Sequence, residues 1–197
     1  MALRLTELFD DAESVSSDES EELNETLGTK DDTQKLFKHF PKFFDSDYFT
    51  PLMKAIKEKI EGRKINGYST MKRKSCIFRL QPGDGGTWLD GHSYPYSKVP
   101  SIIKKIQATL QRFNGETYDY VLAHIYYDGK GSIAYHNDSE AMNSNIASVS
   151  FGTTRKFRLR KMGRTTGWDY EFRLGSGDLF MMYEGCQSVY MHTVWGG

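Results

Sequence analysis

Beyond Thr117 the chain breaks into short β-type runs, residues 118–127, 131–136, 146–151, 156–160, 168–173, 175–178, 179–182 and 189–194, most of them set apart by turn residues such as Asp128-Gly129. Strands this short bury a face only by packing on one another, so many of them at close spacing predict a barrel or a two-sheet sandwich. Tyr and Phe, at 12 residues each, suit the half-buried pleated surface that such strands present. Residues 66–99 are rich in Gly and aromatics without a clean period and read as a meandering hairpin layer.

Two segments ahead of these runs carry helical periodicity instead. Between Asp47 and Glu61 the apolar residues Phe49, Leu52, Met53, Ile56 and Ile60 recur every three or four positions, behind an Asp45-Ser46-Asp47 cap signal and ahead of a stop at Gly62. A second helix starts at Pro100 and runs through Ile102, Ile103, Ile106, Leu110 and Phe113 to Asn114-Gly115. Order is expected from Leu36, where Phe37, Phe40, Phe43 and Phe44 crowd around Pro41.

The formal charge of zero conceals an asymmetry: residues 1–34 hold 11 acidic residues against Arg4 and Lys30, a balance of −9, so the rest of the chain carries +9. A leader so acidic and so poor in apolar residues cannot form a core, and residues 1–34 are expected to be a disordered tail attached to one domain over 35–197. Ser16, Ser17 and Ser20 lie among its acidic residues as candidate phosphorylation sites. The basic body suits a polyanion partner, the alternative being an ordinary solvated surface. Two cysteines, Cys76 and Cys186, fit neither a disulfide framework nor a zinc site, and no apolar stretch approaches the ~18 residues of a membrane span. An intracellular protein, nuclear or cytoplasmic and monomeric, is expected.

His136 and Asp138 stand two positions apart, which on a strand or at its end places them on one face, and His192 lies on a later predicted strand. His-x-Asp with a distant His is the ligand set of the two-His-one-carboxylate triad, which leaves open positions on Fe(II). In a chain with five histidines the pair alone is weak evidence, and the alternative is a surface polar pair.

The surrounding sequence adds context. Residues 146–157, IASVSFGTTRKF, resemble the I-A-S-V-S-F-G-x-x-R-x-F run of the AlkB-like nucleic-acid dealkylating dioxygenases, in particular their eukaryotic repair-type branch. Tyr94-Pro95-Tyr96-Ser97 resembles the Tyr-x-Tyr-Ser segment of that family, Tyr126-Tyr127-Asp128-Gly129 its Tyr-x-Asp-Gly turn, and His136-Asn137-Asp138 its H-x-D box. Downstream, Gly177 to Met182 (GDLFMM) is similar to its G-x-L-x-x-M strand and His192-Thr193-Val194 to its distal histidine segment, so the likeness spans about residues 37–194.

The resemblance implies an α+β fold: a double-stranded β-helix, or jelly-roll of cupin type, with the two helices of the N-terminal half packed on one sheet. It implies Fe(II) on His136, Asp138 and His192, and 2-oxoglutarate as co-substrate near Tyr126 and His124. The implied reaction is oxidative demethylation of N-alkylated bases, of the 1-methyladenine and 3-methylcytosine type, in DNA or RNA. Formaldehyde is released while 2-oxoglutarate and dioxygen become succinate and CO2. The base must leave its stack or already be single-stranded. Tyr94 and Tyr96 match the nucleotide-recognition layer, though bare aromatics are more often core. Arg73, Arg155, Arg158 and Arg160 are candidate phosphate contacts, with Lys72, Lys74, Lys156, Lys161 and Arg164 near them.

The sequence departs from the family pattern at three places. After the distal histidine the family continues into a strand bearing two arginines, one of which holds the C5 carboxylate of 2-oxoglutarate. No equivalent follows His192 before Gly197, so a C-terminally incomplete domain with weakened co-substrate affinity is expected. Ser139, followed by Glu140, stands where base-recognising members carry an acidic residue, and His124 stands where an Asn usually helps hold 2-oxoglutarate. These departures keep two other readings open: a catalytically impaired nucleic-acid-binding module of the same fold, and an oxygenase acting on a protein side chain or a lipid.

Overall fold

The computed structural model describes residues 2–6, 36–61, 73–81 and 93–195. In chain order its regular elements are β1 (Ala2–Thr6), β2 (Phe37–Phe40), α1 (Phe49–Glu61), β3 (Arg73–Arg79), β4 (Ser93–Tyr94), α2 (Ser101–Asn114), β5 (Tyr120–Tyr126), β6 (Ile133–His136), β7 (Ile146–Ser150), β8 (Arg155–Lys161), β9 (Tyr170–Leu174), β10 (Leu179–Met182), the one-turn α3 (Cys186–Val189) and β11 (Tyr190–Trp195). The serines at 16, 17 and 20, the stop expected at Gly62 and Lys72 lie outside the described residues.

The strands form two sheets, a larger one in the order β2-β10-β7-β1-β5-β3-β4 and a smaller one in the order β6-β11-β8-β9. From β5 onward the chain crosses between them repeatedly: β5, β7 and β10 lie in the large sheet, and β6, β8, β9 and β11 in the small one. That alternation is the double-stranded β-helix, and a chain of short strands reaches it because each crossing buries one more inward-facing side chain between the sheets.

Strand alternation divides the large sheet into two chemistries. On β5, Val121, Ala123 and Ile125 face the helices, and with Ala147 and Val149 of β7, Cys76 and Phe78 of β3 and Leu179 and Met181 of β10 they receive Leu52, Ile56 and Ile60 of α1 and Ile103, Ile106 and Leu110 of α2. Each aliphatic side chain fully buried there contributes ~1.5–3 kcal/mol, which is why the two amphipathic helices are fixed on this face. The opposite face, with Tyr126, Ile146, Phe180 and Met182, packs on Phe157, Leu159 and Val194 of the small sheet.

Local chemistry explains the boundaries. In α2, Pro100 takes the N-cap position and Gly115, at φ 75°, closes the helix with its N–H donating to Gln111 O at 2.8 Å. In front of α1 the Asp45-Ser46-Asp47 signal produces a 3-10 turn, Ser46–Tyr48, and the α-helix begins after it at Phe49. The strand expected over 175–178 is instead a tight turn in which Gly177 adopts φ 86° and donates to Ser150 O at 2.8 Å. Asp178 holds this turn by accepting from the N–H groups of Lys42 at 2.8 Å and Gly175 at 2.9 Å, and it bonds His39 Nε2 at 2.9 Å.

Two expectations are corrected. The meandering hairpin layer over 66–99 is not a hairpin in its described part, because β4 runs parallel to β3, and parallel neighbours need a crossover between them. Nor is residues 1–34 a tail without structure throughout. Ala2–Thr6 is a strand seated in the large sheet between β5 and β7, where two ladders satisfy its backbone groups although its sequence is too short to fold alone.

Candidate metal centre

The centre grows from the β6–β11 ladder, in which His192 and His136 are Cα partners and the register slips between His192 and Val194. Such a bulge re-aims side chains at a strand end, and the two imidazoles meet with centroids 4.3 Å apart. Asp138 follows on the turn beyond β6 and is buried to 3% exposure. Its carboxylate oxygens lie 3.8 Å from His136 Nε2 and 3.7 Å from His192 Nε2. These separations are too long for hydrogen bonds, yet one donor atom from each residue lies within 4.8 Å of the others. Two imidazole nitrogens and a buried carboxylate converging in this way fit one shared cation, and nitrogen with oxygen donors suits Fe(II).

Other groups fix the ligands. His136 Nδ1 bonds Ala134 O at 2.8 Å, which assigns the proton to Nδ1 and leaves Nε2 to coordinate. His192 stacks on Phe157 with centroids 5.7 Å apart. The turn carrying Asp138 is held by Gln187 of α3, whose Oε1 accepts the Asp138 N–H at 2.9 Å and whose backbone carbonyl accepts from Asn137 Nδ2 at 3.3 Å. Gln187 is itself buried, and its Nε2 reaches Met182 Sδ. Sequence reading missed it, since a glutamine just ahead of a strand carries no motif signal. Cys186, beside it, has its thiol pushed up to about 12 by burial and then by the Asp138 charge, so at neutral pH it is a protonated packing group.

The centre opens into a small cleft between the sheets, lined by His136 and His192 together with His124, Tyr126, Ser148 and Phe157. His124 is positioned by Ser75 Oγ, 2.6 Å from its Nδ1. The profile of the 2OG-Fe(II) oxygenase superfamily matches residues 37–195, nearly all of the chain after its acidic leader. The chain belongs to that superfamily.

Related proteins narrow the branch. An uncharacterized protein of Acanthamoeba polyphaga mimivirus is 27% identical over 165 residues, covering 81% of this chain and 84% of that protein. The mouse DNA oxidative demethylase ALKBH2 is 28% identical over 177 residues, covering 84% of this chain and 69% of its relative. The rat alpha-ketoglutarate-dependent dioxygenase alkB homolog 3 is 28% identical over 125 residues, which is 54% of this chain and 42% of that protein. The solved structure of OsALKBH1 superposes with a TM-score of 0.55 at 18% identity, covering 80% of this chain and 84% of that one, and shares the fold. This oxygenase is therefore AlkB-like, with a double-stranded β-helix, Fe(II) and 2-oxoglutarate.

His136 and His192 line one cleft with Tyr126 and His124, the two residues expected near the co-substrate, and Asp138 clusters with the two histidines. The nucleic-acid candidates are more dispersed. Ser139 and Glu140 are exposed on the 3-10 turn directly after Asp138. Arg73 is half-buried on β3, in register with Tyr126. Tyr94 stacks on Phe78 and donates its hydroxyl to Lys59 O at 2.7 Å, while Tyr96 is 37% exposed beneath Lys104 Nζ. Neither tyrosine lines the cleft. Arg155 is buried and donates to the carbonyls of Asp128, Gly131 and Trp195, tying the turn after β5 to the end of β11; that guanidinium is committed to backbone.

Arg158 and Arg160 share the outer face of β8, as their alternation with Phe157 and Leu159 requires. Arg158 pairs with Glu171 at 2.5 Å and lies 3.7 Å from the Trp168 ring and 4.6 Å from the Trp195 ring; Arg160 lies 3.9 Å from the Tyr135 ring. Lys156, exposed on the same face, is in register with Trp195 on one side and Arg173 on the other. Trp168 and Trp195 are 45% and 46% exposed and were not among the site candidates of the sequence. Among the described residues no helix is long and apolar enough to cross a membrane.

Proposed function

We propose that this oxygenase removes alkyl groups from the ring nitrogens of nucleic-acid bases, of the 1-methyladenine and 3-methylcytosine type, in DNA or RNA. The observation that carries the reading is the likeness to a DNA oxidative demethylase over 84% of this chain, in a chain whose superfamily match, residues 37–195, holds the whole His136, Asp138 and His192 cluster. The outer face of the small sheet supports it. Exposed Trp168 and Trp195 with Lys156, Arg160 and Arg173 offer stacking planes beside cations, the combination that single-stranded nucleic acid uses.

His136, Asp138 and His192 would hold Fe(II), which with bound 2-oxoglutarate and dioxygen supplies the oxidation of the N-alkyl carbon, yielding succinate and CO2. The hydroxylated carbon then loses its bond to nitrogen and departs as formaldehyde, leaving the base intact. The protein's own residues orient and exclude. Gln187 holds the Asp138 turn, Ala134 O sets the His136 tautomer, and Phe157 with Tyr126 keeps the cleft wall apolar beside the reacting centre. The protein is proposed to act as a monomer.

The test is incubation of the full chain with Fe(II), ascorbate, 2-oxoglutarate and a single-stranded oligonucleotide bearing one 1-methyladenine or 3-methylcytosine. Formaldehyde release with restoration of the base, lost in His136→Ala, is expected. Uncoupled conversion of 2-oxoglutarate to succinate with the base unchanged would overturn the substrate assignment and leave the oxygenase.

A further inference from the structure

The metal centre and the outer face of the small sheet meet at one strand. β6 is the end strand of that sheet, in the order β6-β11-β8-β9, and successive residues on a strand point to opposite faces. His136 lines the cleft, so Tyr135 points outward, where Arg160 Cζ lies 3.9 Å from its ring. Of the three ligands, His136 is the one that solvent reaches: its side chain is 27% exposed, against 3% for Asp138 and 3% for His192. The way from the outer face to the centre therefore runs round the edge of a single strand.

Two donors on that outer face lack an acceptor. The Tyr135 hydroxyl and Arg160 Nε are shielded from solvent, and neither has a hydrogen-bond partner among the described residues. Shielded donors are nearly always satisfied, and one of these belongs to a cation, so the acceptor that fits them is an anionic oxygen. The carboxylates of this face are already committed, Glu171 to Arg158 and Asp169 to Arg164. From Arg160 the cations continue along β8 through Arg158 to Lys156, roughly 13 Å of strand. That row is longer than a lone phosphate and suits a chain of them. Trp168 and Trp195 pack against the Arg158 guanidinium and still leave nearly half of their surface exposed. Bases inside a duplex are stacked on both sides, whereas an unpaired strand has ring faces to lay on such indoles.

We propose that the outer face of the small sheet anchors a single-stranded nucleic acid that turns round the β6 edge into the metal centre, with one phosphate held by Tyr135 and Arg160 and neighbouring bases stacked on Trp168 and Trp195. The strand that presents Tyr135 to the phosphate presents His136 to the metal, so anchoring and delivery are one residue apart. The alkylated base then arrives from a strand that is already unpaired, and no duplex has to be opened. The inference rests on the dealkylation reading for what the strand is delivered to; the anchor itself rests on the two orphaned donors and the exposed indoles.

The experiment measures binding of an unmethylated, fluorescently labelled single strand of thymidine nucleotides to the full chain by anisotropy, with the same strand in a duplex and inorganic phosphate as competitors. The single strand is expected to bind more tightly than the duplex, and inorganic phosphate to compete poorly. Arg160→Gln should weaken binding by about 10–100-fold, the range lost with a charge-assisted hydrogen bond, and Tyr135→Phe, which keeps the ring and removes the donor, by about 2–10-fold. Trp168→Ala should weaken it by at least about 5-fold. A strand carrying 5-iodouracil is expected to photocross-link to Trp168 or Tyr135, read by mass spectrometry of the peptides.

Wild-type affinity in all three variants overturns the proposal, as does a duplex that binds at least as tightly as the single strand. Competition by inorganic phosphate as strong as that of the strand would reduce the face to an isolated anion site and also overturns it, as do cross-links confined to the helix side of the large sheet. Should Arg160→Gln fail to fold, Tyr135→Phe and the exposed Trp168→Ala decide, each accepted only if its melting matches wild type. Formaldehyde released from a methylated strand while the variants bind like wild type sinks this inference and leaves the dealkylation reading. Weakened binding in the variants, with no formaldehyde from the wild type, supports the anchor and sinks dealkylation.

Discussion

His136 and His192 are Cα partners on adjacent strands, and their rings lie 4.3 Å apart in the lining of the cleft. The two nitrogens that face Asp138 are thus set by a backbone ladder, so the metal site is built into the sheet.

Replacing any one of the three ligands removes a donor that no neighbouring side chain supplies at the same place. His136→Ala, Asp138→Ala and His192→Ala should each lose more metal affinity than the roughly 10–100-fold that altering a supporting residue costs. Calorimetric titration with Mn(II) reads this directly. A variant that still bound at wild-type strength would show that its residue is not a ligand.

Gln187 is the second place to press. Its side chain accepts the Asp138 N–H at 2.9 Å inside a buried turn, so Gln187→Ala leaves that donor unsatisfied at about 1–3 kcal/mol. We expect a fall in Mn(II) affinity of roughly 10–100-fold with the fold retained, as judged by near-UV circular dichroism. Unchanged affinity would mean that the Asp138 turn is held by its own backbone.

Asp178 makes the protein sensitive to acid. Burial alone would raise its carboxyl, but the hydrogen bonds from His39, Lys42 N–H and Gly175 N–H outweigh burial and hold it below its ordinary 3.8. A lowered carboxyl contributes stability that is present above the ordinary value and lost as pH falls through the lowered one. Asp178→Asn should therefore melt below wild type at neutral pH, and the gap should close in acid. A gap constant with pH would assign the effect to packing.

Gly177 admits no side chain. At φ 86° a Cβ there would collide with the Phe44 backbone carbonyl, while Phe44 N–H donates to Gly177 O at 2.9 Å. Gly177→Ala should destabilise by at least about 1–3 kcal/mol in a urea titration; a neutral effect would show that the turn has room to shift.

The outer face of the small sheet predicts salt-dependent binding. Lys156→Ala and Arg173→Ala should each weaken single-stranded oligonucleotide binding and flatten the dependence of log affinity on log salt by about 0.7, one phosphate contact for a single strand. Trp168→Ala should weaken binding by ~1–3 kcal/mol at every salt concentration. If all three variants bind like wild type, nucleic acid lies elsewhere on the molecule.

The sequence by itself determined what is local or periodic. It was enough to place α2 between Pro100 and Gly115, because a cap, an apolar period and a stop residue all act within a few residues. It was enough for most of the short strands after Thr117 and for singling out His136, Asp138 and His192, which the fold gathers into one cluster, because His-x-Asp at a strand end is a local pattern and a matching histidine follows. The tertiary structure decided what depends on pairing between distant segments. The 175–178 run became a turn because Gly177 meets the Phe44 carbonyl and Asp178 bonds to His39 and Lys42. Gln187 entered the centre because α3 folds over the Asp138 turn. Arg155 turned inward to three carbonyls, although its sequence neighbours suggested a phosphate contact. Ala2–Thr6, unremarkable beside its acidic neighbours, became the central strand of the large sheet because β5 and β7 leave one gap between two open backbone edges. A strand's place in a sheet is set by hydrogen bonds to partners far along the chain, and its own residues do not name those partners.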